Sequence, residues 1–243
     1  MAKLVQKSGY IKSGKASGYM RYIATREGVE KLAGNGAVTK GQRELIQKLL
    51  HDFPDAVELF EYEDYCKTPT LGTASAFITM ALDANLHEID SESGYMQYIA
   101  TRPRVQKRGA HGLFSSATAV DLASAMSELE AHEGNVWTII YSLRREDAAR
   151  LEYDSADAWR TLLMENAPAL AKSMKISLNS FHWYAAFHDE GHHPHIHMMV
   201  WSDNPKEGFL TKDGIAAMRS KLTNAIFRDE MQQIYERKDV AYS

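Results

Sequence analysis

The segment FHDEGHHPHIHMMVW, residues 187–201, limits the possible folds more than any other part of the chain. Its second half, HPHIHMMVWS (193–202), is an apolar run with histidines set at alternate positions. The stretch before it, FHWYAAFHD (181–189), has the same aromatic-rich, strand-forming character. The two read as strands joined by a tight turn around Glu190 and Gly191. Side chains two apart on a strand face the same way, so His195 and His197 share a face. His188 ends the first strand, and hairpin pairing brings it beside them. The segment therefore asks for an antiparallel sheet with imidazoles from two strands on one side.

Three converging imidazoles make a facial metal site with open coordination positions. Open positions are what a catalytic ion needs, because it must also hold substrate. His192 and His193 fall in the turn, and Pro194 starts the second strand, where proline is tolerated. Asp189 and Glu190 are placed to orient the imidazoles as acceptors. A histidine-rich turn without a role is the competing reading. The H-x-H strand with a third histidine in hairpin register favours the metal site.

The rest of the chain alternates helical and strand patterns. LVQKSGYI (4–11) reads as a first strand, and Ser17 as the cap of a helix through Arg26. TKGQRELIQKLLHDF (39–53) is amphipathic, with Leu45, Ile46, Leu49 and Leu50 on one stripe. TASAFITMALDANL (73–86) and VDLASAMSELEAHEG (120–134) read as helices, the latter ending at Gly134. NVWTIIYSL (135–143) reads as a strand, and REDAARLEY and SADAWRTLLMENAPALAKSM as helices. A last helix runs from Thr211 nearly to the end. These elements predict an α+β fold: a central antiparallel sheet with a histidine-bearing hairpin, flanked by helices. With no long Gly/Ser/Pro linker, residues 1–243 read as a single domain with a helical insertion over approximately 39–110, the N-terminal part of a longer protein.

One string occurs twice. SGYMRYIATREGVEK (17–31) and SGYMQYIATRPRVQK (93–107) agree at 11 of 15 positions. In the first copy helical spacing gathers Tyr19, Tyr22, Ile23 and Arg26 on one face, and Tyr95 and Tyr98 stand in the second where Tyr19 and Tyr22 stand in the first. The second copy has Gln97 where the first has Arg21, and Pro103 stops its helix. Two copies are too few for a solenoid.

Charge is uneven. The formal net charge is −4, which taken alone argues mildly against a nucleic-acid partner. Yet residues 1–26 hold Lys3, Lys7, Lys12, Lys15, Arg21 and Arg26 and no acid. Arg102, Arg104, Lys107 and Arg108 form a second basic run, and Arg144-Arg145 a third. Acids collect elsewhere, as in ELFEYEDY (58–65). Solvated helix faces and a local nucleic-acid footprint both fit this pattern. The single cysteine, Cys66, fits a reducing cytoplasm. The longest apolar run, LGTASAFITMAL, is too short to span a membrane, and no signal peptide is visible.

The string HDEGHHPHIH resembles the metal-binding motif of the HUH endonucleases, above all the conjugative relaxases. YIATREGVEKL (22–32), FEYEDY (60–65), RGAHGLFS (108–115), NVWTIIYSLRREDAARLEYD (135–154) and WYAAFHDEGHHPHIHMMVWSDNPKEGFLTKDGI (183–215) are similar to the MobL-like relaxases of the MobP class. The resemblance runs through nearly the whole chain. It implies a metal-dependent DNA nickase that cuts one strand at a plasmid or integrative-element transfer origin, forms a 5′-phosphotyrosyl intermediate and can rejoin the strand. It assigns His188, His195 and His197 to the ion. It matches Tyr22 to the nucleophile, with Tyr98 as runner-up. YSLRREDAARL (141–151) looks like a second motif, in which Ser142, Arg144 and Arg145 meet DNA phosphates and Glu146 or Asp147, like Asp189, supports a ligand histidine. A helix cap at Ser142 with acids in the first turn explains the same string. Arg21, Arg26, Arg102 and Arg104 complete the expected DNA contacts.

Three imidazoles suit zinc, manganese, cobalt or nickel better than magnesium. The family's usual ions are Mg2+ and Mn2+, and Mn2+ satisfies both arguments. The implied partners are single-stranded and supercoiled DNA carrying a transfer origin, with accessory relaxosome and coupling proteins, and no membrane insertion. A rolling-circle replication initiator, an HUH transposase, or a metal-binding DNA-binding module without catalysis are the rival expectations.

Overall fold

A computed structural model describes residues 3–10, 35–85, 92–101, 104–190, 193–228. The helix expected from Ser17 lies outside this set, as do the last residues of the chain. At the centre is an antiparallel sheet of β1 (Val5–Tyr10), β2 (Leu113–Phe114), β3 (Trp137–Ser142), β4 (Phe181–His188) and β5 (His195–Ser202), in the order β1-β3-β5-β4-β2. The hairpin strands β4 and β5 thus lie inside the sheet, with β1 and β2 at its edges. Central placement explains why all eight residues of β5 are buried.

Alternation along β5 divides the core. Ile196, Met198 and Val200 pack on one side with Trp159 and Leu163 of α7 (Ala156–Ser173) and Met218 and Leu222 of α8 (Lys212–Ile226). Met199 and Trp201 face the other side. There they meet helices that follow β1 in sequence: α1 (Lys40–Asp52), α2 (Phe60–Lys67), α3 (Leu71–Ala84) and α4 (Glu92–Thr101). Two further helices, α5 (Leu122–Glu130) and α6 (Arg145–Arg150), precede and follow β3. The architecture is α+β, an antiparallel sheet with helices on both faces, as the patterning predicts.

Local chemistry sets the element ends. Thr39 caps α1 by accepting from the Gln42 amide, while the Gln42 side chain accepts from the Thr39 amide. Thr70 and Thr73 do the same for α3, and Asp121, Ser155 and Thr211 cap α5, α7 and α8. Three features depart from expectation. The acidic string FEYEDY forms α2, because Phe60 and Glu61 are buried against the core rather than solvated. RGAHGLFS supplies the edge strand β2, whose two residues give too short a pattern to stand out. The hairpin strands are shorter than expected, with β4 ending at His188 and β5 starting at His195, and the turn expected around Glu190 and Gly191 runs into residues 191–192, which lie outside the described set.

Candidate metal and DNA-processing site

Register brings the histidines together. Val5, Ser142, His195 and His188 pair in turn across β1, β3, β5 and β4, forming one row on the sheet. Lys7, Ile140, His197 and Ala186 form the next row on the same face. His188 is directly opposite His195, and His197 is two residues along. The ring centroids are 4.7 Å apart for His188 and His197, 5.0 Å for His195 and His197, and 5.2 Å for His188 and His195. One ring nitrogen from each lies within 4.8 Å of the others, and all three residues are buried.

Hydrogen bonds decide which nitrogen each ring offers. His188 Nε2 lies 2.8 Å from the Ile99 carbonyl, which only accepts, so Nε2 carries the proton. His195 Nδ1 likewise donates to the His193 carbonyl at 3.1 Å. His197 Nδ1 is 3.0 Å from the Tyr95 hydroxyl. The opposite nitrogens, His188 Nδ1, His195 Nε2 and His197 Nε2, are buried on the side of each ring away from these bonds. Neutral imidazoles with their second nitrogens anchored are the donor set of a transition-metal centre. A divalent ion fits these residues.

Helix α2 closes one side. His193, in the hairpin loop, places Nε2 2.8 Å from Asp64 Oδ2 and its ring against Phe60. Arg144, following β3, bonds Glu63 at 2.9 Å and Asp64 at 3.3 Å and lies over the Phe60 ring. Burial works to raise the Asp64 pKa, but the His193 bond and the Arg144 charge outweigh it and hold the group below its ordinary range. Glu61, also on α2, goes the other way. Burial, then the carboxylates of Asp64, Glu190 and Asp83, push it up to about 8. Asp83 of α3 in turn accepts from the Tyr98 hydroxyl at 2.9 Å.

The expected site residues fare differently. His188, His195 and His197 come together. Tyr98 is within the described residues, bonded to Asp83. Tyr22, Arg21, Arg26 and Arg102 lie outside them. Ser142 is buried in the sheet beside His195. Arg145 pairs with Asp189, and Arg104 with Glu190 at 2.7 Å. Asp147 is nearly buried and takes Arg150, while Glu146 is exposed in the first turn of α6. The partners seen on the imidazoles are Ile99, His193 and Tyr95. Sequence reasoning did not single these out, although Tyr95 and Ile99 fall in the duplicated string. Asp64 and Glu61 were also missed, and their three-residue spacing within the acidic run was the available signal.

A family model described as MobL relaxases matches residues 1–242. The chain belongs to the MobL relaxases. No curated protein and no solved structure matches it. Membership supports a DNA relaxase role, and with it the chemistry of a DNA nuclease or transesterase. The buried histidine cluster of this MobL relaxase fits metal binding. No helix among the described residues is long and apolar enough to cross a membrane.

Proposed function

We propose that this MobL relaxase nicks one strand of DNA at the transfer origin of a plasmid or integrative element, using Tyr22 as nucleophile and a divalent ion held by His188, His195 and His197. The observation that carries this reading is the convergence of three buried imidazole nitrogens from β4 and β5 on one face of the sheet. The ion, Mn2+ or Mg2+, supplies charge stabilisation at the scissile phosphate.

The chain's own groups do the rest. A free tyrosine phenol has a pKa of about 10, and the Tyr22 hydroxyl gives its proton to water as its oxygen attacks phosphorus. The P–O bond to the 3′ oxygen breaks and that oxygen takes up a proton from water, matching the one the phenol released, and leaves as a hydroxyl, while the 5′ phosphate stays on tyrosine. The phosphoester retains the energy of the broken bond, so the strand is rejoined without ATP. Arg144, Arg145 and Arg104 border the hairpin loop and exchange their carboxylate partners for DNA phosphates. Arg21, Arg26 and Arg102 add contacts from the two repeat copies, and Ser142 backs the His195 row. Asp189, Glu146 and Asp147 lie close in sequence to these groups and support them electrostatically. Residues 1–243 act as one domain in the cytoplasm, with relaxosome and coupling proteins as further partners.

The test is a nicking reaction on supercoiled origin DNA and a covalent-adduct assay on an origin oligonucleotide, both with and without Mn2+. Wild type forms an adduct that survives denaturing electrophoresis, Tyr22→Phe forms none, and Tyr98→Phe retains it. Turnover without any protein–DNA adduct sinks the reading. Nicking confined to a replication origin or transposon end reassigns it.

A further inference from the structure

Helix α4, in the second copy of the duplicated string, covers the histidine face. Tyr95 and Ile99 are one turn apart, so they project from the same side of the helix. Both are fully buried. The Ile99 carbonyl takes the His188 Nε2 proton at 2.8 Å, and the Tyr95 hydroxyl lies 3.0 Å from His197 Nδ1. Its ring stands edge-on to that imidazole, with centroids 6.2 Å apart. One turn of one helix therefore anchors an imidazole on each hairpin strand.

We propose that Tyr95 is a positioning residue of the histidine centre: its hydroxyl fixes the His197 ring and so sets how tightly the three histidines hold their divalent ion. This rests on the reading of those histidines as metal ligands. The tautomer that presents His197 Nε2 inward carries a proton on Nδ1, and the Tyr95 oxygen accepts it. Without that oxygen a buried N–H loses its acceptor and the ring loses its orientation. Tyr95 acts through His197 and not on DNA, since it is wholly buried and its oxygen is engaged. The second repeat copy thus serves as the strap of the metal centre.

Titration of the purified 243-residue chain with Mn2+, and with Zn2+ against a chromophoric chelator, tests this. Tyr95→Phe weakens ion affinity about tenfold. Tyr184→Phe removes a tyrosine–carboxylate bond to Glu128 on the same sheet face, away from the histidines, and leaves affinity unchanged. In zinc-loaded protein labelled at histidine, the His197 Nδ1–H resonance shifts or disappears in Tyr95→Phe. Adduct formation by that variant recovers at raised Mn2+. Unchanged affinity in Tyr95→Phe, or an equal loss in Tyr184→Phe, overturns the proposal. So does intact affinity with an adduct that no Mn2+ concentration restores, which makes Tyr95 a nucleophile instead. A wild-type chain that binds no ion overturns both this and the metal assignment. One that binds ion as described but forms no adduct overturns the proposed function alone.

Discussion

His193 Nε2 stands 2.8 Å from Asp64 Oδ2, tying the loop of the histidine hairpin to the acidic helix α2. It adds to the bonds that Arg145 makes with Asp189, Arg104 with Glu190 and the Leu143 amide with the Pro194 carbonyl, which hold the same loop near the end of β3 where Arg144 emerges. Asp64→Asn keeps the size but removes the charge that His193 and Arg144 share. Urea denaturation is expected to show a loss of about 1–2 kcal/mol. An unchanged midpoint would mean that the loop is held by the Phe60–His193 ring contact instead.

Glu61 gives the protein a pH-dependent stability. Its pKa rises from the ordinary 4.5 to about 8, chiefly through burial. Between those values the folded chain keeps a proton that the unfolded chain releases. Stability therefore falls as pH rises through that window and levels off above it. Glu61→Gln removes the titrating group, so its denaturation midpoints decline less between about pH 5 and 9 than those of wild type. Parallel profiles for the two proteins would refute the assignment.

Arg144 tests the proposed DNA contact. Its side chain is three-quarters buried between Glu63, Asp64 and the Phe60 ring, so phosphate must compete with two carboxylates for it. Arg144→Ala is expected to weaken single-stranded DNA binding and to reduce the slope of log affinity against log salt by about 0.7. Fluorescence anisotropy across a salt series reads both. Glu63→Gln works in the opposite direction and tightens binding.

Removing one histidine tests the proposed metal centre. His195→Ala leaves His188 and His197 on different strands with no third donor, and calorimetric titration with Mn2+ is expected to show no stoichiometric binding. Chelation of wild type is expected to stop nicking, and added Mn2+ to restore it. Nicking that persists in chelator places the chemistry elsewhere.

Gly112 supports the centre from behind. A Cβ there collides with a Val105 methyl and comes 3.1 Å from the Gln106 carbonyl. The Gly112 amide meanwhile donates to the Ala100 carbonyl at 2.8 Å, and Val105 bridges to His188. Gly112→Ala is expected to cost about 1–3 kcal/mol of stability by overpacking. Thermal unfolding checks this, and a shift within error would show that the loop can move aside.

The histidine cluster was legible because strand alternation is a local rule. Once β4 and β5 are strands in a hairpin, His195 and His197 share a face whatever surrounds them. Helices α1, α3, α7 and α8 were legible for the same reason, since their apolar patterns lie within a few residues, although α3 begins at Leu71 rather than Thr73. Helix α2 was not, because its acids mimic a solvated run, and only burial of Phe60 and Glu61 against distant residues makes it part of the core. Nor did β2 have enough length to carry a period.

The amino-acid sequence by itself determined the strand pair, the three imidazoles on it and the α+β plan, because each follows from spacing along a short stretch. Only the tertiary structure decided what those imidazoles touch. Ile99 and Tyr95 reach His188 and His197 across 89 and 102 residues of chain, and Asp64 reaches His193 across 129. Contacts at such separations depend on how helices dock on a sheet, and docking follows the shape and burial of whole faces. The two copies of SGYM-x-YIATR are nearly the same string, yet the place of the second, over the histidines, is fixed by packing rather than by its letters.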